Sequence, residues 1–245
     1  VTNTDGAGIS RRTMFGVGAG VAAAAALASG SVPAAATPGR RTSDPKATPL
    51  TAEQAWRKLV AGNNRFVAGQ QRHPHESLEW RQSLVNGQHP FAVILGCADS
   101  RVSPELVFDE GLGDLFVIRA AGEVLDTAVI GSIEYAVEHL SVPLIVVLGH
   151  ESCGAVGATI DVVQHGTAVA GDVSTLVRSI EPAVRATPAN PDAAAFLAAC
   201  VAEQARRAAQ YLQERSNIIS DAVAHHGVKV VSATYELDTG AVTRL

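Results

Sequence analysis

Long apolar runs are scarce in this chain. The stretch at residues 16–28 is short and dominated by Gly and Ala, which argues against a comfortable membrane span. An excess of positive charge is also lacking. Lys and Arg number 19 against 24 Asp and Glu, for a net charge of -5, and no basic stripe is visible. That excludes the electrostatic footprint of a nucleic-acid binder and leaves only a mildly acidic, soluble surface. Cysteine is rare, with three in 245 residues, and no internal repeat is present. What the chain does have is apolar content: 47% hydrophobic residues suffice for the core of one good-sized domain plus an accessory segment.

The accessory segment lies at the amino terminus. Ser10-Arg11-Arg12-Thr13-Met14-Phe15 resembles a twin-arginine export signal. The Gly/Ala/Val stretch follows, and then Pro33-Ala34-Ala35-Ala36, a small-residue cleavage site. The order of these parts predicts a signal peptide over residues 1–36, a Pro/Thr/Ser-rich linker over 37–50 and a domain over 51–245. The expected destination is secreted or cell-envelope, with no membrane span once the signal is removed.

Within the domain, Thr51-Ala52-Glu53-Gln54 reads as a capping box opening a helix that carries Trp56, Leu59 and Val60, with residues 63–66 just after it. A second helical stretch covers residues 78–85. Four short apolar runs follow, at residues 91–95, 115–118, 144–148 and 228–233, each bounded by Gly, Pro or polar residues. Such runs, separated by helical periodicity, are the mark of buried parallel strands. Helices are expected at 127–140, with Thr127 as N-cap, at 153–162 and at 192–212. A turn at 235–240 leads to a short edge strand at 241–245. The fold class is therefore α/β: a mainly parallel sheet of four strands plus a short edge strand, flanked by helices.

Two of these strands end in chemistry. Cys97-Ala98-Asp99-Ser100-Arg101 follows the first, and His150-Glu151-Ser152-Cys153 follows the third. In a parallel sheet both emerge at the carboxyl ends of strands, where open α/β sheets place their ligands. Two thiols and one imidazole suit zinc, and three protein ligands leave a fourth tetrahedral position open for water or substrate. A Cys97–Cys153 disulfide is the alternative in an oxidising compartment. It gives no reason for His150, Asp99 and Arg101 to stand where they do. Gly149 and Gly154 flank the second set and permit close backbone approach. Cys200, in an Ala-rich helical pattern, reads as a small buried apolar residue.

C-x-D-x-R paired with H-x-x-C resembles the β-class carbonic anhydrases. The resemblance extends to Gly131-Ser132-Ile133-Glu134-Tyr135-Ala136-Val137 and to residues 232–240. It implies one Zn²⁺ per chain on Cys97, His150 and Cys153, and reversible hydration of carbon dioxide to bicarbonate and a proton by zinc-hydroxide attack. Two thiolates cancel the zinc charge, so this ligand set acidifies bound water less than three histidines, which bring its pKa to about 7. Asp99, gripped by Arg101, is then the group that orients the nucleophile. In the family the same carboxylate, once released by the arginine, can swing onto zinc and close the site.

The resemblance also places Gln88, Phe116, Tyr135 and Gly154 in the substrate pocket, with several of them reaching across a dimer interface. It implies that the amino-terminal helices pack on a partner subunit, in a homodimer or higher even oligomer. The chain departs from the family at Ala120-Ala121-Gly122, where many members carry asparagine directly after the arginine corresponding to Arg119. No histidine is marked as a proton shuttle. A carbonyl sulfide or carbon disulfide hydrolase on the same scaffold and a non-catalytic zinc-binding protein are the rival readings.

Overall fold

The computed structural model describes residues 49–245. The expected signal peptide and residues 37–48 of the expected linker lie outside the described residues. Leu50, at the end of that linker, packs against the core.

The first helix, α1 (Ala52–Val67), starts as its sequence dictates. The Gln54 backbone N–H donates to Thr51 Oγ1 at 3.3 Å, and the Thr51 N–H donates to Gln54 Oε1 at 2.8 Å, a reciprocal capping box. Two outcomes differ from the sequence reading. Asn63, Asn64, Arg65 and Phe66 belong to the helix rather than following it. And α1 buries Ala52, Ala55 and Leu59 against the sheet of its own chain, a packing that was not read from the sequence. Small residues made that face hard to read. Their role is close approach: a Cβ on Gly62 would sit 1.7 Å from the Phe108 carbonyl oxygen. Asn63 fastens the helix further. Its Nδ2 donates to the carbonyls of Val107 (3.1 Å) and Gly240 (2.8 Å), and its Oδ1 accepts from the Val242 N–H at 2.9 Å.

The remaining helices are α2 (Leu78–Ser83), α3 (Pro104–Val107), α4 (Thr127–Leu140), α5 (Gly154–His165), α6 (Val173–Ala186), α7 (Ala193–Arg215) and α8 (Asn217–His225). A 3₁₀ turn, Leu84–Asn86, continues α2, and neither piece buries a residue. The N-cap of α4 is Asp126, not Thr127: the Asp126 carboxylate accepts from the Val129 N–H at 2.8 Å, which puts Thr127 inside the first turn. The sequence reading did not anticipate α6 and α8. Pro182 interrupts the α6 pattern, and a single residue, Ser216, separates α8 from α7 while capping it.

Five strands, β1 (Ala92–Gly96), β2 (Leu115–Arg119), β3 (Leu144–His150), β4 (Lys229–Tyr235) and β5 (Val242–Arg244), form one sheet in the order β2-β1-β3-β4-β5. The first four are parallel, and β5 is the antiparallel edge. Every residue of β1 and β3 is buried, as their unbroken apolar runs require. Alternate side chains serve opposite faces. Ile94, Val146 and Leu148 join α1 and Phe108, while Val93, Leu95, Ile145 and Val147 join α4, α7 and α8. The chain leaves β1 toward β2 and returns on the other side of β1 as β3. The gap beyond the carboxyl ends of β1 and β3 is thus a topological switch point. No described helix is long and apolar enough to cross a membrane.

Candidate metal centre

Cys97 is the first residue after β1, and His150 is the last residue of β3. Their strands are paired in register, Gly96 beside Leu148, so both side chains emerge at the same end of the sheet. Cys153 caps the start of α5 three residues later. The Cys97 and Cys153 sulfurs stand 4.0 Å apart, and all three cysteines of the chain are free thiols. Tetrahedral zinc with Zn–S bonds of about 2.3 Å separates two sulfurs by about 3.8 Å. Cys200 is fully buried beside them in an apolar cluster with Val156, Ile180 and Phe196, consistent with its reading as packing.

The histidine is oriented by its own backbone. His150 Nδ1 faces the Glu151 carbonyl at 2.8 Å, which calls for a proton on Nδ1 and leaves the lone pair on Nε2. That Nε2 is buried and has no hydrogen-bond partner. Burial alone depresses the imidazole pKa, but the Cys97 sulfur and the Glu151 carbonyl outweigh it and the pKa rises. The two sulfurs share one proton unequally. Cys97 is pushed down to about 4, first by its hydrogen bond with Cys153, then by His150 and the Gly122 N–H. Cys153 is pushed up, first by that same bond to Cys97 and then by burial. Two adjacent sulfurs and an imidazole nitrogen make a donor set suited to zinc.

A fourth group was not foreseen from the sequence. Glu123 is 1% exposed, and both of its carboxylate oxygens lack a hydrogen-bond partner. The ligand atoms of Cys97, Glu123, His150 and Cys153 all lie within 4.8 Å of one another. Burial, and then the neighbouring Cys97 charge, raise the Glu123 carboxyl well above the usual carboxylate range. The available signal was positional: Glu123 stands four residues past the end of β2, the parallel neighbour of β1.

Asp99 and Arg101 form the expected pair. Arg101 Nε donates to Asp99 Oδ1 at 2.9 Å and Nη2 to Oδ2 at 2.7 Å, and the Arg101 backbone N–H adds a third bond at 2.9 Å. This grip holds the Asp99 carboxyl far below its ordinary pKa, with the Arg101 side chain the main cause. Arg101 Nη2 also donates to the Ser152 carbonyl at 3.3 Å, tying the loop after β1 to the loop after β3. Arg119, at the end of β2, donates to the carbonyls of Cys97 and Asp99 and fixes the first loop from the other side. Asp99 Oδ2 lies 3.8 Å from His150 Nε2.

The four expected pocket residues fall in different settings. Gly154 opens α5 directly after Cys153. Phe116 and Tyr135 face each other across β2 and α4, ring centroids 6.4 Å apart, and Tyr135 is 48% exposed. Gln88 is exposed on the segment leading to β1. Phe116 packs with the α4 face of the sheet, not with the cluster around the thiols.

A sequence model of the family described as carbonic anhydrase matches residues 92–242. Carbonic anhydrase 2 of Mycobacterium tuberculosis is 47% identical over 186 residues, covering 76% of this chain and 89% of that protein. A carbonic anhydrase of Mycolicibacterium smegmatis is 45% identical over 192 residues, covering 77% and 90%. Among solved structures, Coccomyxa β-carbonic anhydrase in complex with acetazolamide superposes with a TM-score of 0.61 at 27% identity, covering 67% of this chain and 75% of that one. A tetrameric β-carbonic anhydrase of Sordaria macrospora shares the fold, with a TM-score of 0.62 at 22% identity over 78% and 96% of the two chains. The strand-end thiols and imidazole, the gripped aspartate and these matches lead to one assignment: the chain belongs to the β-class carbonic anhydrases.

Proposed function

We propose that the protein hydrates carbon dioxide reversibly at a zinc ion held by Cys97, His150 and Cys153, with Asp99 and Arg101 as the orienting pair. The observation that carries this is the convergence of two free buried sulfurs and a partnerless imidazole nitrogen beside a carboxylate fixed in place by an arginine. Zinc, when bound, would supply a Lewis acid that lowers the pKa of water and makes it a competent nucleophile. Asp99 stays ionised because Arg101 grips it, so it is available as an acceptor. It accepts a hydrogen bond from the attacking water and turns the water's lone pair toward the carbon of carbon dioxide. Arg101 is the positioning residue, and its bond to Ser152 keeps both loops in register.

Gln88, Phe116, Tyr135 and Gly154 are the proposed substrate wall, completed by a partner subunit in a homodimer or larger even oligomer. Support comes from large apolar side chains left open within one chain: Val85 is 80% exposed, and Leu78 and Tyr135 about half. The proposed route to the secreted or cell-envelope compartment is twin-arginine export of residues 1–36, supported by Arg11-Arg12 and the Ala36 site. Replacing both arginines with lysine is expected to retain precursor in the cytoplasm on fractionation, and unchanged secretion refutes the signal.

The direct test of function is stopped-flow hydration of carbon dioxide by zinc-loaded protein, run beside sulfide release from carbonyl sulfide and carbon disulfide. Rapid hydration is expected, with one zinc per chain that Cys97→Ser loses along with the rate. Release of sulfide without hydration, or full zinc and full rate in Cys97→Ser, overturns the assignment.

A further inference from the structure

We infer that Glu123 is a fourth protein ligand of the metal and that it, rather than Asp99, closes the site in its resting form. The inference rests on the reading that Cys97, His150 and Cys153 hold zinc.

A buried carboxylate without partners is costly, and native proteins nearly always satisfy such a group with donors or a cation. Among the described residues, no ion pair or side-chain hydrogen bond reaches Glu123, and both oxygens are sealed from solvent. What surrounds them instead is the ligand set: two sulfurs and the His150 nitrogen, all within 4.8 Å. A cation between these four atoms satisfies the two orphaned groups of the site, Glu123 and His150 Nε2, in one stroke.

The loop that carries Glu123 is built to aim it. The Gly122 N–H donates to Cys97 Sγ at 3.4 Å, and buried Gln204 donates from Nε2 to the Gly122 carbonyl at 2.9 Å. The Ala120 N–H donates to the Gly96 carbonyl at 3.0 Å, anchoring the loop to β1. Gly122 has φ 68°, and a Cβ there would lie 2.5 Å from Ile180 Cδ1, so the turn next to Glu123 requires glycine. Glu123 itself is held at φ 50°, a left-handed conformation unfavourable to its side chain. Asp99 is otherwise engaged, with three hydrogen bonds to Arg101, and is not part of the four-atom group. A Cys₂HisGlu set leaves no open tetrahedral position, so Glu123 must withdraw before water or a small anion can occupy it.

Zinc affinity by chelator competition, and the visible spectrum of the cobalt(II) protein titrated with azide, test this on the full chain. Glu123→Gln is expected to weaken zinc at least about 10-fold, since even groups that only orient ligands cost that much, and to open the cobalt site to azide. Asp99→Asn is expected to match wild type in both. Wild-type affinity and azide response in Glu123→Gln, or opening by Asp99→Asn instead, overturns the inference. Cys97→Ser at wild-type affinity would instead sink the ligand reading beneath it. If Glu123→Gln does not fold, the zinc-minus-apo infrared difference spectrum decides: a shifted carboxylate stretch that persists in Asp99→Asn supports Glu123, and no such band refutes it.

Discussion

Two regions of the molecule bury acidic side chains, and they treat them in opposite ways. Between α1 and β2 lie Asp109, Glu110 and Asp114, all buried. Arg65 pairs with Asp109, which also accepts from the Arg72 and His73 backbone N–H groups at 3.0 Å. Lys58 reaches Glu110 at 3.0 Å and Asp114 at 3.4 Å, and Asp114 further accepts from the Gly111 N–H at 2.9 Å and contacts His75. At the carboxyl end of the sheet, the Glu123 oxygens and His150 Nε2 have no hydrogen-bond partner among the described residues. Desolvation penalises both regions alike, so the contrast is informative. The first cluster is completed by the chain and serves stability. The second is complete only with a ligand from outside, and serves function.

Removing zinc with a strong chelator should separate the two regions most sharply. Hydration is expected to stop entirely and to return with added zinc, while amide exchange around Lys58 and Arg65 stays slow. Exchange that speeds up equally in both regions would mean that they form one cooperative unit. Arg101→Ala should come next. It is expected to cost about 10²- to 10⁴-fold in kcat, the scale of a positioned acid–base group. Zinc content and Tm should hold, because the three expected ligands remain and a solvent-exposed ion pair adds little to stability. A rate near wild type with full zinc would reduce the pair to a surface contact.

Arg65→Met should do the reverse. It strips the main partner from buried Asp109 and is expected to destabilise by about 3 kcal/mol, the lower end for a broken buried pair because Arg65 keeps some solvent contact. Denaturant melts measure this, and zinc per folded chain should be unchanged. The smallest effect is on pH. Burial opposes ionisation of Asp109, but Arg65 and the two backbone donors prevail and hold its pKa below the ordinary value. A depressed carboxylate adds stability that is present above the unfolded pKa of about 3.9 and is lost as pH falls through the folded one. Tm should therefore drop in acid below about pH 4, and the drop should be shallower in Arg65→Met. Equal slopes would exclude that pair as the cause.

Much of this was legible in residue order, for local reasons. Unbroken apolar runs at 91–95 and 144–148, bounded by Gly, Pro or polar residues, read as strands buried on both faces, and the chemistry that follows each run leaves a parallel sheet at the same end. The Asp99–Arg101 grip spans two residues and needs little beyond the loop itself. Thr51 and Gln54 cap α1 for the same reason. Two features concealed the rest: the buried face of α1 includes the small residues Ala52 and Ala55, which do not announce what they pack on, and Pro182 stands inside α6.

Glu123 carried only a positional signal, its place just after a strand, and the reason is physical. It is a lone acid in a short loop after a strand, between Ala120-Ala121-Gly122 and Val124-Leu125, and an acid on a loop is ordinarily solvated. Its burial depends on Gln204, from a helix far along the chain, holding the Gly122 carbonyl. It depends equally on Ile180 filling the space over Gly122, and on β2 lying beside β1 rather than β3. Sequence alone determined that Cys97, His150 and Cys153 could bind metal and that they emerge at one end of the sheet, because hydrophobic runs and short loops act over a few residues. Tertiary structure alone decided which buried groups meet without partners, because that depends on strand order and on side chains that become neighbours only when the whole chain packs.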